Sequence, residues 1–355
     1  MKGTRAAVAL AAAVALGVAA CGGSSSSSSS DAGTINGSGS TFAAPIYQQW
    51  GSNLKASDGL TVNYQGVGSG QGISELTSGT VNFAGSDPPM EDEEIAAAKK
   101  GEPLHFPTAL GAITVSYNVS GVETGLKLDA DTLAKIFLGT VTKWNDPAIA
   151  AQNNGVTLPD AAITVVHRSD SSGTTKGFTG YLTAVSKDWE SKVGKGKTVK
   201  WPVGTGAKGN DGVAASIKST PNALGYVEQA YALQNKFTVA SIKNAAGNYV
   251  EPTLASTTAA AEGLEIPADL RFTVSNPDGV EAYPITSQTF VVAYADACKA
   301  GFSEQVAKGI KTFLTYGLGA GQDVLGELQY AKLPAAIHEK ATAQLSKLVC
   351  NGKAL

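Results

Sequence analysis

The chain has 355 residues, 43% of them hydrophobic and 16% charged, with a formal net charge of −3. This is the composition of an ordinary globular protein, and its mild acidity argues against nucleic acid as a partner. A small anion stays possible, because fixed dipoles act locally whatever the net charge.

The first element is a leader. Lys2 and Arg5 precede an unbroken apolar or small stretch from Ala6 to Ala20, which suits a secretory signal and is too short for a mature membrane span. Val18-Ala19-Ala20-Cys21 resembles the lipobox of a bacterial lipoprotein. That resemblance implies cleavage before Cys21 and a lipid on its sulfur; an ordinary signal peptide cut after Ala20 is the alternative. A Gly/Ser tract from Gly22 to Ser30 follows and reads as a flexible tether. The chain beyond it is long enough for two domains and has no later transmembrane run.

Short apolar runs then alternate with helical stretches, without a fixed repeat. Leu60 to Gln65, Ala112 to Asn118, Ala162 to His167 and Thr289 to Tyr294 read as strands. Phe42, Ile46, Trp50 and Leu54 recur on one face of a predicted helix over Phe42 to Leu54. Further helices are expected over Asp129 to Phe137, Gly177 to Val185, Val213 to Ile217 and Ser303 to Tyr316. A last one runs from Pro334 to Val349, with the proline at its first position. Asn244 to Arg271 reads as surface loops and a helix. The alternation predicts an α/β fold with largely parallel sheets. In an exported chain, Cys298 and Cys350 form a disulfide by default, two buried thiols being the alternative.

Three glycine-rich turns carry the chemistry: Gly37 to Phe42, Gly66 to Gly72, and Ser171 to Thr174. Each leads into a helix, where unpaired N–H groups and the positive end of the dipole suit an anion. The third turn follows Arg168, one of only two arginines beyond the leader. An arginine fork gives bidentate contacts to an oxyanion; a surface Arg168–Asp170 pair is the plainer alternative. Other motifs fail. Ser191 to Thr198 lacks the first glycine of a phosphate-binding loop and reads as a solvated lysine-rich loop. The histidines His105, His167 and His338 share no metal or catalytic spacing, and His167 reads as a neighbour of the site. Glu91 to Glu94 reads as an acidic helix start rather than a metal site.

Gly39 to Pro45, Val62 to Gly70, Phe83 to Asp87, Arg168 to Thr174, Trp201 to Gly204 with Gly209 to Gly212, Leu224 to Glu228 and Tyr283 to Ser287 together resemble the phosphate-binding proteins of bacterial phosphate-specific ABC transporters. The resemblance spans Ile35 to about Leu333. It implies a type II periplasmic-binding-protein fold, with two α/β lobes around a central ligand cleft and two chain crossings. Residues 34–109 with 283–355 would form one lobe and residues 110–282 the other, after a signal peptide over 1–20 and a lipidated tether over 21–33. It further implies high-affinity binding of inorganic phosphate outside the cytoplasm, by a monomer held to the membrane by lipid. Delivery would be to the permease subunits of an ABC importer, with no catalysis, cofactor or metal. A protein for another tetrahedral oxyanion, or a surface phosphate sensor or adhesin, is the alternative.

The ligands implied by the resemblance are Thr41, Phe42 through its N–H, Ser69, Asp87, Arg168, Asp170, Ser172, Gly173 and Thr174. On local sequence alone Asp87 reads as a helix-capping or turn residue before Pro88-Pro89. As a ligand it suits an anion that keeps a proton, since an ionised carboxylate only accepts hydrogen bonds. Sulfate has no such proton at neutral pH and would be repelled.

Overall fold

The computed structural model describes residues 33–355. The leader, Cys21 and most of the tether lie outside the described residues. In chain order come β1 (Thr34–Gly39), α1 (Ala44–Asp58), β2 (Thr61–Gly66), α2 (Ser69–Ser78), β3 (Phe83–Ser86), α3 (Asp92–Ala97) and the long β4 (Pro103–Asn118). Then follow β5 (Lys127–Leu128), α4 (Ala130–Phe137), α5 (Pro147–Ala150), β6 (Thr164–Arg168), α6 (Gly173–Val185), α7 (Lys187–Lys192), β7 (Thr205–Ala207), α8 (Gly209–Ser219), β8 (Ala223–Glu228) and α9 (Gln229–Gln234). The chain ends with β9 (Thr238–Val239), β10 (Ser241–Lys243), β11 (Tyr249–Val250), α10 (Leu254–Ala259), β12 (Thr286–Tyr294), α11 (Glu304–Leu318), α12 (Ala335–Gln344), β13 (Val349–Cys350) and β14 (Lys353–Ala354).

One sheet of the order β2-β1-β3-β12-β4-β8-β6-β7 organises these elements, with β9 also paired to β4. β4 is its spine. Pro103 to Ala112 pair with β12, and Ile113 to Asn118 pair with β8. All but its last residue are buried, as expected of a strand covered on both faces. The expectation of largely parallel strands is corrected here. β1 is parallel to β2 and β3, and β6 to β7 and β8, whereas β12 and β4 run antiparallel to their neighbours. The chain goes out along β4 and returns along β12, so these two strands must oppose each other.

The predicted apolar face of α1 holds, since Phe42, Ile46, Trp50 and Leu54 are all buried. The helix itself starts at Ala44. Thr41 to Ala43 form a bend, and Pro45 in the first turn fits a helix start whose N–H groups need no partner. α12 is shorter than expected, with Pro334 as its N-cap. Its end is pulled into a single 3-10 turn at Leu345–Lys347 and then β13. There Val349 bridges to Asp296, and Cys350 bonds to Cys298. Ser191 to Thr198 is not simply solvated: the Lys197 carbonyl accepts the Ser172 N–H at 2.9 Å, and the Lys197 ammonium pairs with Glu94. The acidic run does open α3, with a capping box between Glu91 and Glu94.

The disulfide closes a separation of 52 residues. Loss of that constraint on the unfolded chain is worth about 4 kcal/mol. The double change Cys298→Ser, Cys350→Ser should lower the unfolding free energy in urea by about that amount, and a loss below about 1 kcal/mol would contradict the entropic reading.

Candidate functional site

The three glycine turns sit at the ends of β1, β2 and β6, and the structure brings them together. Gly68, at a φ of +97°, puts the second turn against the third: a Cβ there would lie 2.6 Å from an Asp170 carboxylate oxygen. The Gly70 N–H then donates to the Ser171 carbonyl at 3.0 Å. Gly173 is needed for the same closeness, because a Cβ would meet Asp87 Oδ2 at 2.3 Å and Ser69 Oγ at 2.4 Å. Thr41, Phe42, Ser69, Asp87, Arg168, Ser172 and Thr174 are all at most 5% exposed.

Arg168 ends β6 and forks onto Asp170, with Nε donating to Oδ1 at 2.7 Å and Nη2 to Oδ2 at 2.5 Å. The Gly209 N–H donates to the same carboxylate at 3.1 Å. Burial alone would raise the Asp170 carboxyl, but Arg168 and Gly209 together hold it below its usual value. The pair fixes the guanidinium and offsets most of its charge. Arg168 Nη1 faces Thr174 Oγ1 at 3.4 Å. Ser172 is the N-cap of α6 and takes the Thr175 N–H at 3.0 Å. Its oxygen serves the helix as an acceptor, and its O–H proton remains a donor. His167 is a support: it stacks on Trp201 with centroids 4.7 Å apart, and its Nδ1 lies 3.0 Å from the Arg168 carbonyl.

The sequence missed Asn210, which ties the turns together. Its Nδ2 donates to Thr41 Oγ1 at 2.9 Å and to Thr174 Oγ1 at 3.2 Å, and its backbone N–H donates to Thr41 Oγ1 at 3.2 Å. Its Oδ1 accepts the Glu228 N–H at 3.0 Å. A threonine hydroxyl has two lone pairs and one proton. Thr41 receives two bonds from Asn210; Thr174 receives one from Asn210 and one from Arg168. Both hydroxyls are left able only to donate. Among the described residues no partner takes the backbone N–H of Phe42, Gly173 or Thr174. The site is a set of donors. The available signal for Asn210 was its own glycine-rich stretch, Gly209 to Gly212, which forms the first turn of α8.

Asp87 is the exception. Ser40 Oγ and Thr289 Oγ1 donate to its Oδ1 at 2.5 and 2.9 Å, and Gln288 Nε2 donates to its carbonyl at 2.7 Å. Thr289 stands opposite a bulge in β4, where Thr108 is the extra residue and the register shifts before Phe290. Oδ2 takes only a long contact from Ser69 Oγ at 3.4 Å and so keeps accepting capacity next to Gly173. Burial lifts the carboxyl from 3.8 to about 6, and the bonds from Ser40 and Thr289, with the Arg168 charge, restrain the rise. It is mostly ionised at neutral pH. No group of three or more His, Cys, Asp or Glu among the described residues could hold a metal ion.

Residues 24–320 match the family model described as the PBP superfamily domain. The phosphate-binding protein PstS of Pasteurella multocida is 42% identical over 316 residues, 88% of this chain and 90% of the relative. PstS of Xylella fastidiosa is 40% identical over 303 residues, 84% and 81% of the two chains. The chain belongs to the PstS family. The fold agrees. A high affinity periplasmic phosphate-binding protein, PfluDING, solved with phosphate, matches with a TM-score of 0.71 at 23% identity, over 88% of this chain and 93% of that one. A DING protein matches with a TM-score of 0.71 at 22% identity, over 90% and 99%.

The raised Asp87 carboxyl sets a pH dependence of stability in the anion-free PstS-family fold. A carboxyl that holds its proton more tightly folded than unfolded favours the fold at low pH. That contribution is lost as pH rises from about 3.8 to about 6. Asp87→Asn lacks this titration, so its stability relative to the native chain should increase by about 3 kcal/mol between acid and neutral pH. Denaturation at several pH values checks it; parallel profiles for the two proteins would contradict it.

Proposed function

We propose that this protein binds one inorganic phosphate among Thr41, Phe42, Ser69, Asp87, Arg168, Asp170, Gly173 and Thr174. Ser172 belongs to the same set: its oxygen caps α6 and its O–H proton stays able to donate to the anion. The observation that carries the reading is the hydrogen-bond inventory: two buried hydroxyls that can only donate, unpaired amides at two turns, and one carboxylate acceptor. Such a set is complementary to an oxyanion that also carries a proton. The PstS relatives are named as phosphate-binding proteins, and a structure solved with phosphate shares the fold. The protein is a binding component of ABC import, not an enzyme, and it works outside the cytoplasm.

The finer parts of the proposal are these. Residues 34–109 with 283–355 form one lobe and residues 110–282 the other, with the ligand between them; the change of partner along β4 between Ala112 and Ile113 supports a boundary there. Acidic residues after β3 reach across this boundary, Glu91 to Lys176 at 2.8 Å and Asp92 to Arg271 at 2.6 Å. A lipid on Cys21 holds a monomer at the membrane, where it passes phosphate to the permease subunits. No described helix is long and apolar enough to cross a membrane.

Calorimetric titration with phosphate tests the assignment. Removing one member of a buried charge pair costs about 2–5 kcal/mol, so Arg168→Ala should weaken phosphate binding by roughly 1.5 to 4 orders of magnitude. Arg271 is the control, since it pairs with Asp92 and Asp269 outside the site. Arg271→Ala should change affinity little. Equal losses in the two variants would overturn the site.

A further inference from the structure

Glu228 closes β8 with no exposed surface, and no described cation pairs with it. Its Oε2 accepts the Ala230 N–H at 2.9 Å and lies 2.8 Å from Tyr330 Oη. Its Oε1 is buried without a partner. Tyr330 Oη is also 2.6 Å from the Phe42 carbonyl oxygen. Three oxygens therefore stand in a row, Phe42 O, Tyr330 Oη and Glu228 Oε2, joined by two hydrogen-bond contacts. Two contacts need two protons. The phenol supplies one and the carbonyl none. The second must be carried by the carboxyl.

With that proton on Oε2, every group in the row is satisfied. Oε2–H donates to Tyr330, Tyr330 donates to Phe42, and Oε2 still accepts from Ala230. The unpartnered Oε1 is then a neutral carbonyl oxygen, far cheaper to bury than a carboxylate oxygen. An ionised Glu228 would instead draw the phenol proton to itself and leave two lone pairs facing each other at the Phe42 carbonyl. Burial and the nearby Asp87 charge push the same way. Burial drives the carboxyl well above its ordinary range, and the Asp87 charge adds to it, against the bonds from Tyr330 and Ala230.

The row ends on the turn that carries Thr41 and Phe42. Both carbonyls of this turn are held by tyrosines: Tyr231 Oη donates to Thr41 O at 2.6 Å, and Tyr330 to Phe42 O. In a trans peptide the N–H points opposite the C=O, so the bond to Thr41 O orients the Phe42 N–H, and the bond to Phe42 O fixes the next peptide. Glu228 pairs with Ile113 in the sheet, and Ala331, beside Tyr330, bridges to Leu110. The row thus spans the point where β4 changes partner. We propose that Glu228 is a neutral carboxylic acid at physiological pH and a positioning residue that, through Tyr330, holds the Thr41–Phe42 turn in place for the anion. Its role toward the anion rests on the phosphate reading; its protonation does not.

Infrared spectroscopy of the full chain at neutral pH, taken as the difference between the native protein and each variant, reads the proton directly. The carbonyl stretch of a protonated carboxylic acid is expected in the native protein, missing in Glu228→Gln and retained in Asp87→Asn. Tyr330→Phe should shift the band, which identifies Glu228 even if the Gln variant folds poorly. An amide at 228 cannot both donate to Tyr330 and accept from Ala230 through one atom, so Glu228→Gln and Tyr330→Phe should each weaken phosphate binding about five- to fifty-fold. A missing band, or one indifferent to both changes, would overturn the protonation. Unchanged phosphate affinity in Tyr330→Phe would overturn the positioning role. If the native protein gave the band but bound no phosphate, the phosphate reading would fall and the protonation would stand.

Discussion

A buried cluster of hydrogen-bond donors with one acceptor among them is the constraint on which this structure depends. Polar groups taken out of water must be paired or they cost about 1–3 kcal/mol each. Here Asn210 fills the lone pairs of Thr41 and shares those of Thr174 with Arg168, so both hydroxyls are committed as donors. Asp170 fixes the Arg168 fork and offsets its charge. The attraction for an anion then comes from oriented dipoles more than from net charge, in keeping with a mildly acidic chain.

The sheet exists in this form because those donors come from distant segments. β1, β2 and β6 each end at a glycine turn, and the spine formed by β4 and β12 sets the turns against one another. β12 also delivers Gln288 and Thr289 to Asp87, the latter from opposite the β4 bulge at Thr108. Tyr330 and Glu228 are as buried as the core itself, and Tyr231 is partly buried. Tyr231 and Tyr330 spend their hydrogen bonds on the Thr41 and Phe42 carbonyls, which leaves the N–H side of the turn free.

Much of this was legible in the sequence. The rarity of arginine singled out Arg168, the three glycine turns stood out by composition, and the spacing of Phe42, Ile46, Trp50 and Leu54 gave the buried face of α1. Other features depend on contacts that local pattern does not carry. Ser40 and Thr289 reach Asp87 across 47 and 202 residues. Asn210 reaches Thr41 across 169 residues. The first half of β4 was hidden because His105, Pro107 and Gly111 interrupt its apolar pattern, although pairing with β12 makes it a strand. The tail of α12 followed helical spacing to Val349, but bonding of Cys350 to Cys298 ends the helix sooner.

The central claim is that Asp87, the carboxylate that keeps accepting capacity among the donors, selects an anion that keeps a proton. The most direct test is paired titration of the native protein and Asp87→Asn with phosphate and sulfate, at fixed ionic strength across the titration of Asp87 near pH 6. The native protein should bind phosphate and reject sulfate at neutral pH, with the rejection easing as pH falls through that range and Asp87 gains a proton to donate. Asp87→Asn should keep much of its phosphate affinity and admit sulfate at every pH. Sulfate bound by the native protein as tightly as phosphate at neutral pH, or a rejection that Asp87→Asn leaves intact, would contradict the account.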